Sequence, residues 1–161
     1  MLQLVTLPNL ILTWAQVRRK SSWVVDGELE IDSDLIQDFL GSLKSFEIRL
    51  SFFSGAWGPQ FANLVIATMG SEPAPLTIIG AETIYSPAAL RSFANTLVSL
   101  LAMMPGGEKT SLVAAKKVYF GVGGSIEDFC DAVRAKAFDV EQIREESDGV
   151  RRVVVEVKTK G

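Results

Sequence analysis

The second half of the chain alternates apolar runs with capped segments, and this pattern constrains the fold more than any other feature. Residues 75–85, PLTIIGAETIY, are a continuous apolar run that predicts a strand buried on both faces. Ser86 followed by Pro87 is typical of a helix start. Residues 111–122 predict the next strand, and a capping box at Ser125 predicts another helix. Strands that alternate with helices predict a doubly wound α/β sheet.

The rest of the chain extends the alternation in both directions. Apolar side chains at helical spacing predict helices over residues 4–14, 33–43 and 61–69, although the last of these patterns also suits a strand. Residues 46–53 alternate at period two and predict a strand. Residues 138–159 predict a closing antiparallel hairpin. From residue 33 on, the predicted order is helix, strand, helix, strand, helix, strand, helix, strand, strand.

Composition excludes several classes of function. The net charge is -3 without a basic surface pattern, which argues against direct nucleic-acid binding. The longest uncharged run, residues 51–71, contains glycines, a proline and amides, so it predicts a core segment and no membrane span. The single cysteine, Cys130, fits a reducing compartment. The chain has no histidine, which excludes Ser-His-Asp and Cys-His catalysis by its own residues and removes the commonest transition-metal ligand, so we predict no metal site.

The glycines after the strand at 111–122 pose a choice between a ligand loop and a turn. A dinucleotide fingerprint needs glycine at its first, third and sixth positions. Gly121 and Gly123 match the first two, but Ile126 occupies the sixth, so the fingerprint fails. Two interpretations remain, which are a tight strand-to-helix turn and a loop whose small residues let a substrate approach the backbone.

Three residues stand out as candidates for a site. Glu82 ends an apolar strand, where a carboxylate needs a partner, so it either pairs with a neighbouring group or serves a site at the strand end. Trp57 follows Gly55 in a loop and either stacks on an adenine or covers the core. Asn9 on an apolar helix is more often a local hydrogen-bonding residue than a ligand contact.

Four segments match, in order and spacing, one known family: VTLPNLIL (5–12), FFSGAW (52–57), IIGAETIYSPAAL (78–90) and AAKKVYFGVGGSIEDF (114–129). The chain resembles the C-terminal half of eukaryotic S-adenosylmethionine-dependent protein-histidine N-methyltransferases of the seven-strand superfamily, and is most similar to the fungal ones. The resemblance covers nearly the whole chain apart from residues 20–45.

The resemblance implies a function and a set of site residues. It implies methyl transfer from S-adenosylmethionine to a ring nitrogen of a histidine in a large-subunit ribosomal protein, in the cytoplasm and nucleus. The missing histidines are no objection, because the reacting imidazole belongs to the substrate. The residues implied near the cofactor are Asn9, Ser54, Gly55, Trp57, Ala81 and Glu82. Those implied near the substrate are Tyr85 and the loop residues Tyr119, Phe120, Gly121, Gly123 and Gly124, with Glu82 and Tyr85 as the catalytic pair.

The resemblance also implies an incomplete sheet. Strands of this superfamily lie in the order third, second, first, fourth, fifth, seventh, sixth. The chain starts within the helix that follows the second strand, so residues 1–161 are expected to form a single partial domain without the first two strands. The segment 46–53 would then lack its neighbours, and the strand at 76–84 would lack one. Such a piece is expected to be poorly stable and prone to associate, and a non-catalytic binding fragment is the alternative interpretation.

Overall fold

The computed structural model describes residues 2–18, 29–70, 72–119, 124–147 and 149–160. The chain divides into two compact units, Met1–Ser54 and Gly55–Gly161. We describe each unit by itself. No helix in these ranges is both long and apolar enough to span a membrane.

The first unit is a pair of helices. A π-helical turn, Leu2–Thr6, leads into α1 (Leu7–Arg18), and α2 (Ser33–Ser45) follows. Both predicted helices are confirmed, and the Asp32 side chain caps α2 by accepting a hydrogen bond from the Leu35 N–H at 2.7 Å. The small core between α1 and α2 consists of Ile11, Ala15, Leu35 and Phe39, with Trp14 edge-on to Phe39.

The strand predicted at residues 46–53 is not formed. These residues are irregular and join no ladder in the described part of the chain. Their alternating apolar side chains Ile48, Leu50 and Phe52 are exposed. A period-two pattern predicts which side chains share a face, but a strand also needs a neighbour to bond its N–H and C=O groups, and the pattern does not supply one.

The second unit is an α/β structure, as predicted. Its elements in chain order are α3 (Pro59–Met69), β1 (Leu76–Ala81), α4 (Pro87–Met103), β2 (Lys109–Lys116), α5 (Ile126–Arg134), β3 (Phe138–Glu146) and β4 (Arg152–Thr159). The sheet order is β1-β2-β4-β3. β1 and β2 are parallel, and β4 is antiparallel to both β2 and β3. This is the fourth, fifth, seventh, sixth end of the implied order, so the hairpin and the strand order are confirmed.

One face of the sheet forms the core. Val113, Val155 and Val157 are buried on it, and α4 and α5 supply Phe93, Leu97, Phe129 and Val133 to the same cluster. The predicted burial of the 75–85 run on both faces is wrong, because β1 stops at Ala81 and lies at the sheet edge. Ile79, on the other face, is 76% exposed.

Local signals fix the starts of the helices in this unit. The Ser86 Oγ accepts a hydrogen bond from the Ala89 N–H, and Pro87 is the first residue of α4. The Ser125 Oγ accepts from the Asp128 N–H at 3.0 Å. Both predicted caps are confirmed, and they place the loops before α4 and α5 at the carboxyl ends of β1 and β2.

Candidate active site

Glu82 lies directly after β1, at the edge where the two parallel strands end. Its N–H donates to the Ala114 carbonyl at 3.0 Å and so extends the pairing with β2 by one residue. Its φ is 54°, in the left-handed region. A non-glycine residue there costs about 1–3 kcal/mol, which the surrounding structure must offset. The strained residue ends the strand and sets the course of the chain that follows.

Tyr119 pairs with Glu82 across the two strand ends. The Tyr119 hydroxyl donates to Glu82 Oε2 at 3.0 Å and accepts from the Lys116 N–H at 3.2 Å. The Tyr119 side chain is buried, at 8% exposure, and belongs to the core cluster. Burial raises the pKa of the Tyr119 phenol, and the hydrogen bond to Glu82 raises it further. The phenol therefore stays protonated at neutral pH and remains a donor.

Within the described ranges, one oxygen of the Glu82 carboxylate has a hydrogen-bond donor and the other has none. Oε2 is taken by Tyr119, whereas Oε1 accepts no hydrogen bond from any residue in the described ranges. Glu82 is exposed. The partner predicted for this carboxylate therefore exists, and it leaves an acceptor facing solvent at a strand end, where sheets of this type bind ligands.

The segment after Glu82 is anchored by alternate residues. Ile84 is fully buried, whereas the predicted catalytic residue Tyr85 is 53% exposed. The Thr83 hydroxyl is buried without a hydrogen-bond partner among the described residues. The segment thus presents Glu82 and Tyr85 outward while Ile84 holds it to the core.

Gly124 fits closely against this segment. Its φ is 101°, and a Cβ added there would lie 3.0 Å from the Ile84 carbonyl oxygen. An antiparallel bridge between Val118 and Ser125 closes the base of the loop. Glycine at 124 is thus required by the turn into α5. The predicted loop residues Phe120, Gly121 and Gly123 lie outside the described residues, so their roles stay predictions.

Trp57 packs against the core and is also partly exposed. Its ring packs on Phe93, with 5.2 Å between centroids. Phe93 in turn lies against β1, where a Cβ on Gly80 would approach its Cζ to 2.6 Å. Trp57 also keeps 37% of its surface exposed and borders a cavity of about 390 Å³. One side chain therefore separates Trp57 from β1, while part of its surface remains free for a ligand.

The remaining predicted cofactor residues are exposed, and they are divided between the two units. Asn9 is exposed on α1, where its backbone carbonyl accepts from the Thr13 hydroxyl at 2.8 Å. Ser54 is also exposed and belongs, with Asn9, to the first unit. Gly55 and Ala81 are exposed in the second unit, Ala81 as the last residue of β1. Nothing in the structure tests any of the predicted site roles.

Two other kinds of chemistry are not supported at this site. Across the described ranges, no three side chains of the metal-ligating types cluster closely enough to hold an ion. Cys130 is buried in the core, and burial raises its thiol pKa, so it is not an activated nucleophile. The Glu82 carboxylate, paired with the Tyr119 phenol at the end of β1, is the hydrogen-bond acceptor of this site.

Sequence comparisons find proteins named as histidine protein methyltransferases among the relatives of this chain. The chain is 31% identical to histidine protein methyltransferase 1 of Saccharomyces cerevisiae, over 98% of this chain and 46% of that protein. It is 34% identical to histidine protein methyltransferase 1 of Schizosaccharomyces pombe, over 80% of this chain and 36% of that protein. A Rattus norvegicus homologue is 31% identical over 70% of this chain and 30% of that protein.

These relatives confirm the resemblance deduced from the motifs. They also show how much of each relative the chain matches. The chain spans less than half the length of the curated relatives it matches, so the activity of a whole protein of this class is a proposal for this chain. No family model matches. Among solved structures, the PH0226 protein from Pyrococcus horikoshii OT3 is 13% identical to this chain, with a TM-score of 0.37. The match covers 81% of this chain and 69% of the PH0226 chain. That likeness is too weak to support a conclusion, and the fold class rests on the observed strand order.

Proposed function

We propose that this chain is the part of an S-adenosylmethionine-dependent protein-histidine methyltransferase that receives the substrate histidine. The observation that carries the proposal is the exposed Glu82 carboxylate at the end of β1, with one oxygen held by Tyr119 and the other without a donor among the described residues. The similarity to named histidine protein methyltransferases over nearly the whole chain supports the same assignment.

A histidine ring presents two nitrogens, and methylation needs one as nucleophile. In the neutral ring, one nitrogen carries a hydrogen and the other a lone pair. We assign Glu82 Oε1 as the acceptor of the ring N–H, which turns the lone pair of the other nitrogen toward the methyl donor. Holding the reacting atoms in line is the main contribution to such a displacement.

The proton balance also requires an acceptor. S-adenosylmethionine, when bound, supplies a methyl group on a positively charged sulfur, which keeps the electron pair of the broken C–S bond. The histidine lone pair forms the new N–C bond, so the ring becomes a cation. Glu82 then accepts the proton from the other ring nitrogen, and the methylated ring leaves neutral.

The described residues fit part of S-adenosylmethionine. Trp57 offers a partly exposed aromatic surface of the kind on which an adenine stacks. Ala81 and Glu82 are exposed at the strand end, and the Thr83 hydroxyl, which has no partner among the described residues, is a further polar group next to them in the chain. We therefore assign Trp57 to the adenine and the end of β1 to the region near the methyl group.

The finer parts of the proposal are the substrate and the compartment. We propose that the histidine belongs to a large-subunit ribosomal protein, and that the enzyme works in the cytoplasm and nucleus. The resemblance alone supports these two assignments. A different substrate protein or compartment would leave the chemistry proposed at Glu82 unaffected.

The test is a chimera with the S. cerevisiae relative. The segment of that relative aligned with this chain is replaced by residues 1–161 and expressed in yeast that lacks the native protein. Mass spectrometry of large-subunit proteins should show a methylated histidine, and fluorescent tagging should show the chimera in cytoplasm and nucleus. Transfer to a different protein would refute the substrate assignment only.

Matched controls separate chemistry from folding. Glu82→Gln keeps the shape of the side chain but removes its charge, and it should lower the methylation rate about 100-fold, in the range of a lost general base. The unchanged 161-residue chain should bind S-adenosylmethionine only weakly, because it matches under half of each relative. A folded chimera that binds the donor but methylates nothing would refute the proposal in favour of a non-catalytic fragment.

A further inference from the structure

We infer that Tyr119 is a positioning residue, which fixes the Glu82 carboxylate so that Oε1 faces the histidine ring. This inference rests on the proposed function. It gives Tyr119 a role through Glu82, distinct from the direct substrate contact that its place in the glycine loop suggested. The contacts around its hydroxyl carry the argument.

The direction of the Tyr119 O–H is set by its surroundings. The Lys116 N–H donates to the hydroxyl oxygen at 3.2 Å, which fills its accepting side. The hydroxyl proton is then left to point at Glu82 Oε2, 3.0 Å away. A phenol has only one proton to donate, so the pair has a defined polarity.

The phenol ring itself is held firmly. Tyr119 is 8% exposed within the core, and the Lys116 ammonium lies 5.8 Å from its ring centroid. The Glu82 backbone is fixed at the same time by its N–H bond to Ala114. A glutamate side chain has three rotatable bonds, so a second fixed point on one oxygen is what gives the other a defined position.

The first arm of the test measures the pair without any activity. The chain has two tyrosines, Tyr85 and Tyr119, so in a Tyr85→Phe background the ultraviolet signal of tyrosinate reports Tyr119 alone. Adding Glu82→Gln should shift that ionisation to lower pH, because Glu82 raises the pKa of Tyr119. Arg152 acts in the opposite direction and is unchanged in both chains. Circular dichroism across the titration confirms that both chains stay folded.

The second arm measures methylation in the chimera. Tyr119→Phe should lower kcat about 10-fold, the loss expected for one hydrogen bond to a charged group. It should leave the KM for S-adenosylmethionine nearly unchanged. Because the variant leaves the Lys116 N–H without its acceptor and should melt earlier, kcat is compared at a temperature at which both chimeras are folded. In a Glu82→Gln background the same substitution should have no further effect on kcat, because a residue that acts only through Glu82 loses its role with the carboxylate.

A matched control removes a similar hydrogen bond elsewhere. Thr110, at the opposite end of β2, donates to Glu156 Oε1 at 3.2 Å. Thr110→Val deletes a hydroxyl-to-carboxylate bond of the same kind and should leave kcat unchanged. A general softening of the sheet would instead affect both variants.

The possible results test the positioning role of Tyr119 separately from the proposed function. Equal kcat losses from Tyr119→Phe with and without Glu82→Gln, or a tyrosine titration that ignores Glu82→Gln, would overturn the positioning role. A rise in the KM for S-adenosylmethionine would overturn it as well, because Glu82 would then face the donor. A parent chimera without any methylation would instead refute the proposed function, while the tyrosine titration would still report whether the pair exists.

Discussion

Gly80→Ala tests whether the packing between β1 and α4 holds the site side of the sheet as the structure indicates. The Cβ of the new alanine would lie 2.6 Å from Phe93 Cζ and 3.4 Å from both Cε atoms. Carbon atoms at their optimal separation are about 3.5–4.0 Å apart, so the ring has to withdraw by about 1 Å. Phe93 is buried between Trp57 and Phe129, and withdrawal must disturb those rings.

The expected cost follows from that overlap. Forcing an extra methyl into a packed core costs about 1–3 kcal/mol in the free energy of unfolding. For a unit of this size the melting temperature should fall by about 4–12 °C. Urea unfolding followed by circular dichroism measures the free energy.

A rescue and a control make the prediction specific. Phe93→Leu in the Gly80→Ala chain removes the overlap, so the double variant should be at least about 1 kcal/mol more stable than the sum of the single losses predicts. Gly58, in the same unit, has an extended backbone and no atom within 4 Å of an added Cβ. Gly58→Ala should change stability by less than about 0.5 kcal/mol. Wild-type stability of Gly80→Ala, or strictly additive losses, would refute the packing argument.

Three further predictions concern the loop, the aromatic surface and alkaline pH. Gly124→Ala should destabilise more than Gly149→Ala in urea, because both have positive φ but only Gly124 also meets a backbone oxygen; equal losses would contradict the Ile84 contact. Trp57→Ala in the chimera should weaken S-adenosylmethionine binding by about 1–3 kcal/mol by calorimetry, and a lower melting temperature with unchanged affinity would assign it to the core alone. The pKa of Tyr119 is raised in the folded state, so the stability that its protonated phenol contributes is complete below a pH of about 10 and is lost as the pH rises further. Tyr119→Phe should therefore flatten the fall in unfolding free energy above that pH. Parallel curves for the two proteins would contradict the shift.

The elements that sequence predicted correctly are those whose signals are local. Ser86 and Ser125 each bond an N–H three residues on, and Asp32 does the same in the first unit. A cap needs only its own turn, so its residues suffice to locate it. The predictions for residues 46–53 and for the outer face of β1 were wrong because strand pairing and burial depend on residues far away in the chain. The period and the apolarity of a segment do not specify those residues.

The pairing of Glu82 with Tyr119 also depends on residues far apart in the chain, yet the sequence contained enough information to expect it. Both residues lie near the carboxyl ends of the predicted strands, 75–85 and 111–122, and parallel neighbours end at the same edge of a sheet, so residues near those ends meet there. What sequence could not give is the polarity of the pair. That comes from the Lys116 N–H, which makes the phenol a donor to the carboxylate, and from the left-handed turn at Glu82, which no residue pattern marks. The chemistry proposed here depends on that polarity, because a carboxylate that accepts from Tyr119 at one oxygen leaves its second oxygen to accept from the histidine ring.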